Sequence, residues 1–209
     1  MEKPNIVSAA AWQAARDALL VAEKAATHAL DAVAAQRRRL PMVQFEQAYR
    51  FDSPTGPKSL VELFEGRTQL VVYQFMDNGP DKFCPGCTKV INNVPLAALE
   101  RLAERGVSWA TVSDMPLAQI DAYKARMGWS LPFVSSRGTS FAADCGVVRG
   151  FALSVFLREG DDVYRTYVTK SRGVDRLVFE HSILDLTPYG RQEDWEDSPP
   201  GWPQRPTHG

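Results

Sequence analysis

Two cysteines set three positions apart, Cys84 and Cys87, carry the most direct chemistry in this sequence. They stand in Phe83-Cys84-Pro85-Gly86-Cys87, after an apolar run (Gln69 to Met76) whose branched and aromatic residues suit a buried strand. Turn residues, Asp77-Asn78-Gly79-Pro80-Asp81, separate the two, and a run with helical spacing follows, ending in Leu96 to Ala103. With Cys84 as N-cap, Pro85 takes the first helical position, where its missing N–H is no loss. The free N–H groups of the first turn and the helix dipole then favour a thiolate on Cys84. Cys87 falls one turn later on the same face, near enough to close a disulfide. Cys84 is thus the candidate attacking thiolate and Cys87 the candidate resolving thiol.

A C-x-x-C pair is also half of a zinc site, and buried cysteines are often small hydrophobes only. Zinc needs about two further ligands, and the remaining candidates, Cys145, His28, His181 and His208, have no metal-binding spacing. No metal and no organic cofactor is therefore expected.

The elements that position the pair follow from pattern. Ser8 is a candidate N-cap for a long helix running to about Leu40, with Arg37, Arg38 and Arg39 where a C-terminus favours cations. Trp12, Leu19, Ala26 and Val33 recur every seven residues, with Ala15, Ala22 and Ala29 between them, a narrow seam fit for close helix packing. Gln44 to Phe51 reads as a strand, Asp52 to Pro57 as a turn cluster, and Ser59 to Glu62 as a capping box opening a short helix through Phe64. Pro95 should kink or end the first part of the cysteine helix. Val107 to Val112 reads as the next strand, and Pro116 to Met127 as an amphipathic helix closed by Gly128, with Leu117, Ile120, Tyr123 and Met127 on one face. Strand, helix, strand, helix predicts a parallel crossover in an α/β sheet. Phe151 to Leu157 and Val163 to Val168 flank Glu159-Gly160-Asp161-Asp162 and predict an antiparallel hairpin, with a short helix near Asp175 to Ile183. From Thr187 the chain is polar and rich in Pro, Gly and Trp, without periodicity.

Composition excludes several classes. A formal charge of −1 over 209 residues gives no footprint for nucleic acid or an anionic membrane. No apolar run reaches the ~20 residues a bilayer span needs, and no signal peptide is recognised. Three cysteines do not make a secreted disulfide framework, so a cytoplasmic, reducing setting is expected.

A parallel crossover with C-x-x-C at its first helix, then a hairpin and a helix, resembles the thioredoxin fold. More closely, the chain resembles the DUF 899 family, thioredoxin-like proteins related to the alkyl hydroperoxide reductase/thiol-specific antioxidant group. The motifs are Cys84-Pro85-Gly86-Cys87, Arg126-Met127-Gly128-Trp129, Pro132-Phe133-Val134-Ser135-Ser136, Ser154-Val155-Phe156-Leu157, Arg172-Gly173 and the stretch from Leu184 to Glu193. The resemblance implies a mixed sheet flanked by helices. Peroxiredoxins place Pro and Thr seven and three residues before the reactive cysteine; here those positions hold Asp77 and Asp81. Two nearby carboxylates are expected to raise the thiol's pKa and oppose peroxide attack at Cys84. Thioredoxins carry a cis-proline before the first hairpin strand, and Phe151-Ala152-Leu153-Ser154 holds none.

The expected organisation is an N-terminal helical extension over residues 1–40, a thioredoxin-like domain over 41–186 and an irregular tail over 187–209. The expected function is thiol–disulfide exchange at Cys84 and Cys87 with a protein or small-molecule substrate. The alternatives are a non-catalytic interaction scaffold on the same fold and a peroxide reductase. Trp129, Arg126 and Arg137 are candidate substrate-binding residues in the cleft at the strand ends. Cys145 is read as a packed residue, Asp185 and the segment at Arg191 as an ion pair anchoring the tail, and the seam of the first helix as a possible homodimer contact.

Overall fold

Ser8 caps the first helix as its position predicts: its Oγ accepts the Ala11 N–H at 3.3 Å in the computed structural model, which describes residues 2–45, 48–147 and 149–206. Helix α1 runs Ala9–Arg37, three residues short of the expected Leu40. Its last turn tightens into shorter-range bonds, Arg39 N–H to Gln36 O and Leu40 N–H to Arg37 O, and the Arg39 guanidinium satisfies the Ala35 carbonyl at 2.8 Å. The chain forms two compact units, one joining the segment up to Leu40 with that from Phe179 onward, the other being Pro41–Val178.

In the first unit no residue of α1 is buried, and Trp12 and Leu19 remain 58% and 54% exposed. A 29-residue helix with a bare apolar row gains most by packing. The seven-residue repeat makes a second copy the expected partner. The full chain should sediment as a dimer at micromolar concentration, and Leu19→Glu with Val33→Glu should make it a monomer. A monomeric parent would remove that role. The irregular stretch after Thr187 is pinned by its own contacts. Arg191 grips the Asp185 carboxylate with two nitrogens at 2.7 and 2.6 Å, the ion pair the sequence suggests, and Tyr189 meets the Trp202 ring edge-on.

In the second unit, the expected single strand from Gln44 to Phe51 is instead two. Val43–Gln44 (β1) and Arg50–Phe51 (β2) belong to different sheets, and Glu46 and Gln47 between them lie outside the described residues. Among the described residues β2 pairs with Lys58–Ser59 (β3), across the expected turn. The capping box forms, Ser59 N–H to the Glu62 carboxylate and Glu62 N–H back to Ser59 Oγ. It opens only a 3-10 turn, Glu62–Phe64, ended by Glu65 and Gly66 at positive φ.

Gln69–Gln74 (β4) leads to the helices Pro85–Asn92 (α2) and Leu96–Glu104 (α3), separated at Pro95, which caps the second. Val107–Ser113 (β5) and Leu117–Met127 (α4), closed by Gly128 in the left-handed region, follow as expected. Phe133–Ser135 (β6) is a strand the pattern did not announce: three residues after a proline are too few to show alternation, and pairing with β5 makes the strand. Phe141–Asp144 (α5) precedes the hairpin Ala152–Glu159 (β7) and Asp162–Thr169 (β8). The helix expected at Asp175 to Ile183 is replaced by a 3-10 turn, Ser171–Leu177, and a short helix, Phe179–Leu184 (α6). Extended backbone at Val178 parts them.

The six-stranded sheet has the order β1-β8-β7-β4-β5-β6, with β4, β5 and β6 parallel and the rest antiparallel. β1 thus borders one edge, whereas Asp52 pairs with Ser135 on β6 at the other. Gln44 and Asp52 therefore stand at opposite ends of the sheet, six strand spacings or about 29 Å apart. That separation explains why one strand cannot form there. Tyr49 and Phe51 enter a core with Leu70, Val72, Val112, Phe141, Cys145 and Phe156. Strand alternation sends Tyr73, Phe75, Trp109 and Phe133 to the opposite face, where they meet Cys84, Cys87 and Ile120. Among the described residues no helix is long and apolar enough to cross a membrane.

Candidate active site

The N-terminus of α2 has the geometry that its sequence dictates locally. Cys84 is the N-cap in extended conformation, Pro85 occupies the first turn, and the Cys87 N–H donates to Cys84 Sγ at 3.2 Å. The Thr88 N–H closes the first helical bond to the Cys84 carbonyl at 2.9 Å, and Thr88 Oγ1 donates to the same oxygen at 2.8 Å. All three cysteines are free thiols. Cys84 is 4% exposed and Cys87 fully buried.

The electrostatics separate the two sulfurs. Cys84 is drawn down from 9.0 to about 7, chiefly by the hydrogen bond from the Cys87 thiol and further by the backbone N–H groups of Cys87 and Gly86, against the opposing effect of burial. Cys87 moves up, because its proton is held in that bond to Cys84 and its site is buried. The Met76 backbone and the Tyr73 hydroxyl act on Cys87 in the other direction. Near neutral pH Cys84 therefore passes from thiol to thiolate while Cys87 keeps its proton.

The expected repulsion from Asp77 and Asp81 is not found. The shift at Cys84 is downward and neither carboxylate is among its causes. Asp77 Oδ1 is engaged by the Gly79 N–H at 2.8 Å, its backbone pairs with Phe83 to close the loop, and Asp81 is exposed.

The other sequence candidates are placed as follows. Trp129 packs edge-on against Tyr123 at 5.1 Å and donates from Nε1 to Asn92 Oδ1 at 2.9 Å, at the margin of the cysteine cluster. The Arg126 guanidinium lies 4.7 Å from the rings of Phe83 and Tyr123, which stack at 3.6 Å. It covers the residue preceding Cys84. Arg137 is exposed in the loop after β6, its backbone N–H donating to Ser135 Oγ. A cleft of about 360 Å³ does open at the C-terminal ends of β4 and β5, but none of these three residues lines it. Gln74, Asp77, Ser113, Asp114, Ser136 and Arg149 do. Cys145 is packed on the far face of the sheet from the dithiol, and burial pushes its thiol up to about 12. Among the described residues no group of three or more His, Cys, Asp or Glu is placed to hold a metal ion; His208 lies outside them.

Sequence reasoning missed Tyr73, Met76, Thr88 and Tyr123. The Tyr123 hydroxyl meets Thr88 Oγ1 at 2.6 Å, tying α4 to the first turn of α2. The spacing that put Tyr123 on the inward face of its helix was a signal, but nothing local tells which helix that face meets.

No curated protein matches the chain in sequence. Among solved structures, it is similar to one described as peroxidoxin BcpB from Mycobacterium tuberculosis (TM-score 0.50, 20% identity, covering 66% of this chain and 92% of that one). It is likewise similar to a thiol:disulfide interchange protein from Bacteroides sp. (TM-score 0.50, 14% identity, covering 74% and 94%). At such identities the likeness is one of fold, and the fold is thioredoxin-like. Along the sequence, the family model "Bacterial protein of unknown function (DUF899)" matches residues 1–207, and the chain belongs to that family.

Proposed function

We propose that this protein is a thiol–disulfide oxidoreductase acting through Cys84 and Cys87. The observation that carries the reading is the Cys84 sulfur at the start of α2, accepting the Cys87 N–H at 3.2 Å and favoured as a thiolate near neutral pH. The Cys84 thiolate attacks one sulfur of a substrate disulfide, R–S–S–R′, and expels R′S⁻, which takes a proton from water. Cys87 then gives up its proton and attacks Cys84 Sγ, expelling RS⁻, which is protonated in turn. The substrate gains two electrons and two protons, and the protein dithiol becomes the Cys84–Cys87 disulfide. The descriptions of the two similar structures, a peroxidoxin and a thiol:disulfide interchange protein, agree with thiol chemistry on this fold. No metal or organic cofactor enters this scheme.

The test is the pH dependence of alkylation by iodoacetamide, followed site by site by mass spectrometry. The Cys84 rate should rise through a midpoint near pH 7, where an ordinary thiol rises near ~8.5, and oxidised dithiothreitol should convert Cys84 and Cys87 into one intramolecular disulfide. An unshifted midpoint with both thiols left free would favour the scaffold reading. Peroxide reduction is the second reading, favoured by the lack of carboxylate repulsion at Cys84. With Asp77 and Asp81 in place of a proline and a threonine hydroxyl, disulfide exchange should outrun peroxide turnover when both are supplied with the same dithiol reductant.

A further inference from the structure

Beneath the dithiol lies a buried hydroxyl that finds no well-directed partner in the resting site. Tyr73, on β4, is fully buried between the Trp109 and Phe151 rings, and its hydroxyl makes no well-directed hydrogen bond. An orphaned buried hydroxyl is costly and calls for an explanation. The polar groups that act on it are the two sulfurs, Cys87 foremost. The Met76 backbone, just past the end of β4, also reaches Cys87. One group on β4 and one just past its end thus bear on the sulfur of the buried cysteine.

We propose that the Tyr73 hydroxyl, with the Met76 N–H, is a catalytic donor pair that receives the Cys87 thiolate each time the Cys84–Cys87 disulfide opens. The proposal rests on the thiol-exchange reading above. When an external thiolate attacks Cys84 Sγ, the sulfur–sulfur bond breaks and its electron pair leaves on Cys87. That charge forms in a fully buried site, with no solvent to receive it. Donors already aimed at the place where charge develops lower such a barrier without reorganisation. In the resting dithiol Cys87 is a neutral thiol donating to Cys84, a poor acceptor, which accounts for a hydroxyl left without a good bond. Burial also keeps Tyr73 protonated, so it remains a donor at every working pH. Resolution of a mixed disulfide, in which Cys87 must become a thiolate before it attacks, passes through the same charge and draws on the same donors.

Tyr73→Phe tests the idea with little risk to folding, since it removes a hydroxyl that lacks a well-directed bond. Dithiothreitol should open the Cys84–Cys87 disulfide about 10-fold more slowly or worse, the value of a hydrogen bond to a charged group, and closure should slow equally. The reduction potential should hold, because Cys87 is a neutral thiol in the reduced protein and bonded sulfur in the oxidised one. A merely structural role would shift the potential or the unfolding midpoint instead. As a measurement that needs no disulfide, the Cys87 thiolate is titrated at 240 nm in Cys84→Ala, and adding Tyr73→Phe should move that titration to higher pH. Parental rates in Tyr73→Phe together with an unmoved Cys87 titration would overturn the donor role while leaving the exchange reading intact. A parent protein that forms no Cys84–Cys87 disulfide would overturn both.

Discussion

Cys84→Ser should reduce disulfide exchange to the uncatalysed background, a loss on the order of 10³-fold or more, as when an enzyme's nucleophile is removed. The side chain keeps its size and its N-cap role, since serine is a preferred N-cap that accepts the same backbone hydrogen bond. The fold should therefore persist and the unfolding midpoint move little. What goes is the thiolate: a serine hydroxyl stays protonated at neutral pH, and with no anion on residue 84 the Cys87 proton has no charged acceptor. Cys87→Ser should act differently. Cys84 still attacks, but the mixed disulfide has no resolving thiol, so one substrate half should remain attached to Cys84 and be visible as added mass. Full turnover by Cys84→Ser, or equal trapping on either cysteine, would contradict the assignment of attacking and resolving thiols. Transfer of the disulfide to Cys145 in the Cys87 variant would do so too, and the sheet between the two clusters argues against it.

Phe141→Ala should cost about 3–5 kcal/mol, a large share of the roughly 5–15 kcal/mol that holds such a domain together. Phe141 is fully buried and stands at the centre of an aromatic group, with the Phe51, Tyr49, Phe156 and Phe45 rings at 5.0, 5.1, 6.2 and 6.4 Å. It is also the only buried residue of α5, a four-residue helix too short to persist by its own hydrogen bonds. Losing the ring should lower the urea midpoint sharply. It should also loosen the segment that holds Cys145, whose thiol shares the same core, so that Cys145 becomes alkylable below the global transition. Cys84, on the other face of the sheet, should keep its alkylation rate under those conditions. An unchanged midpoint would mean that the aromatic group is not the anchor of this face.

These outcomes depend differently on what the sequence makes visible. The dithiol geometry is legible because it is local. An N-cap, a proline at the first helical position and a second sulfur three residues on are related by one turn of backbone, whatever surrounds them. The same holds for the Ser8 cap, for Pro95 dividing α2 from α3, and for the Asp185–Arg191 ion pair six residues apart. The strands β4, β5, β7 and β8 were long enough to show their pattern.

What the sequence determined by itself is therefore the thioredoxin-like order of elements and a dithiol at the head of a helix. Tertiary structure alone decided what that dithiol faces. Alternation along β4 states that Tyr73 and Phe75 share a side, but period two cannot say which side receives α2, so the hydroxyl under Cys87 was invisible. The same ambiguity hid the placing of Cys145 across the sheet. The split of residues 44–51 into two strands has a longer-range cause: β1 is held at one edge of the sheet by β8, whereas Asp52 pairs with β6 at the other edge. The carboxylates of Asp77 and Asp81 are close to Cys84 along the chain, yet the loop turns one onto its own backbone and leaves the other exposed. Sequence proximity set the expected sign of their effect. The neutral donors at the start of α2, which only folding aligns on Cys84 Sγ, set the actual one.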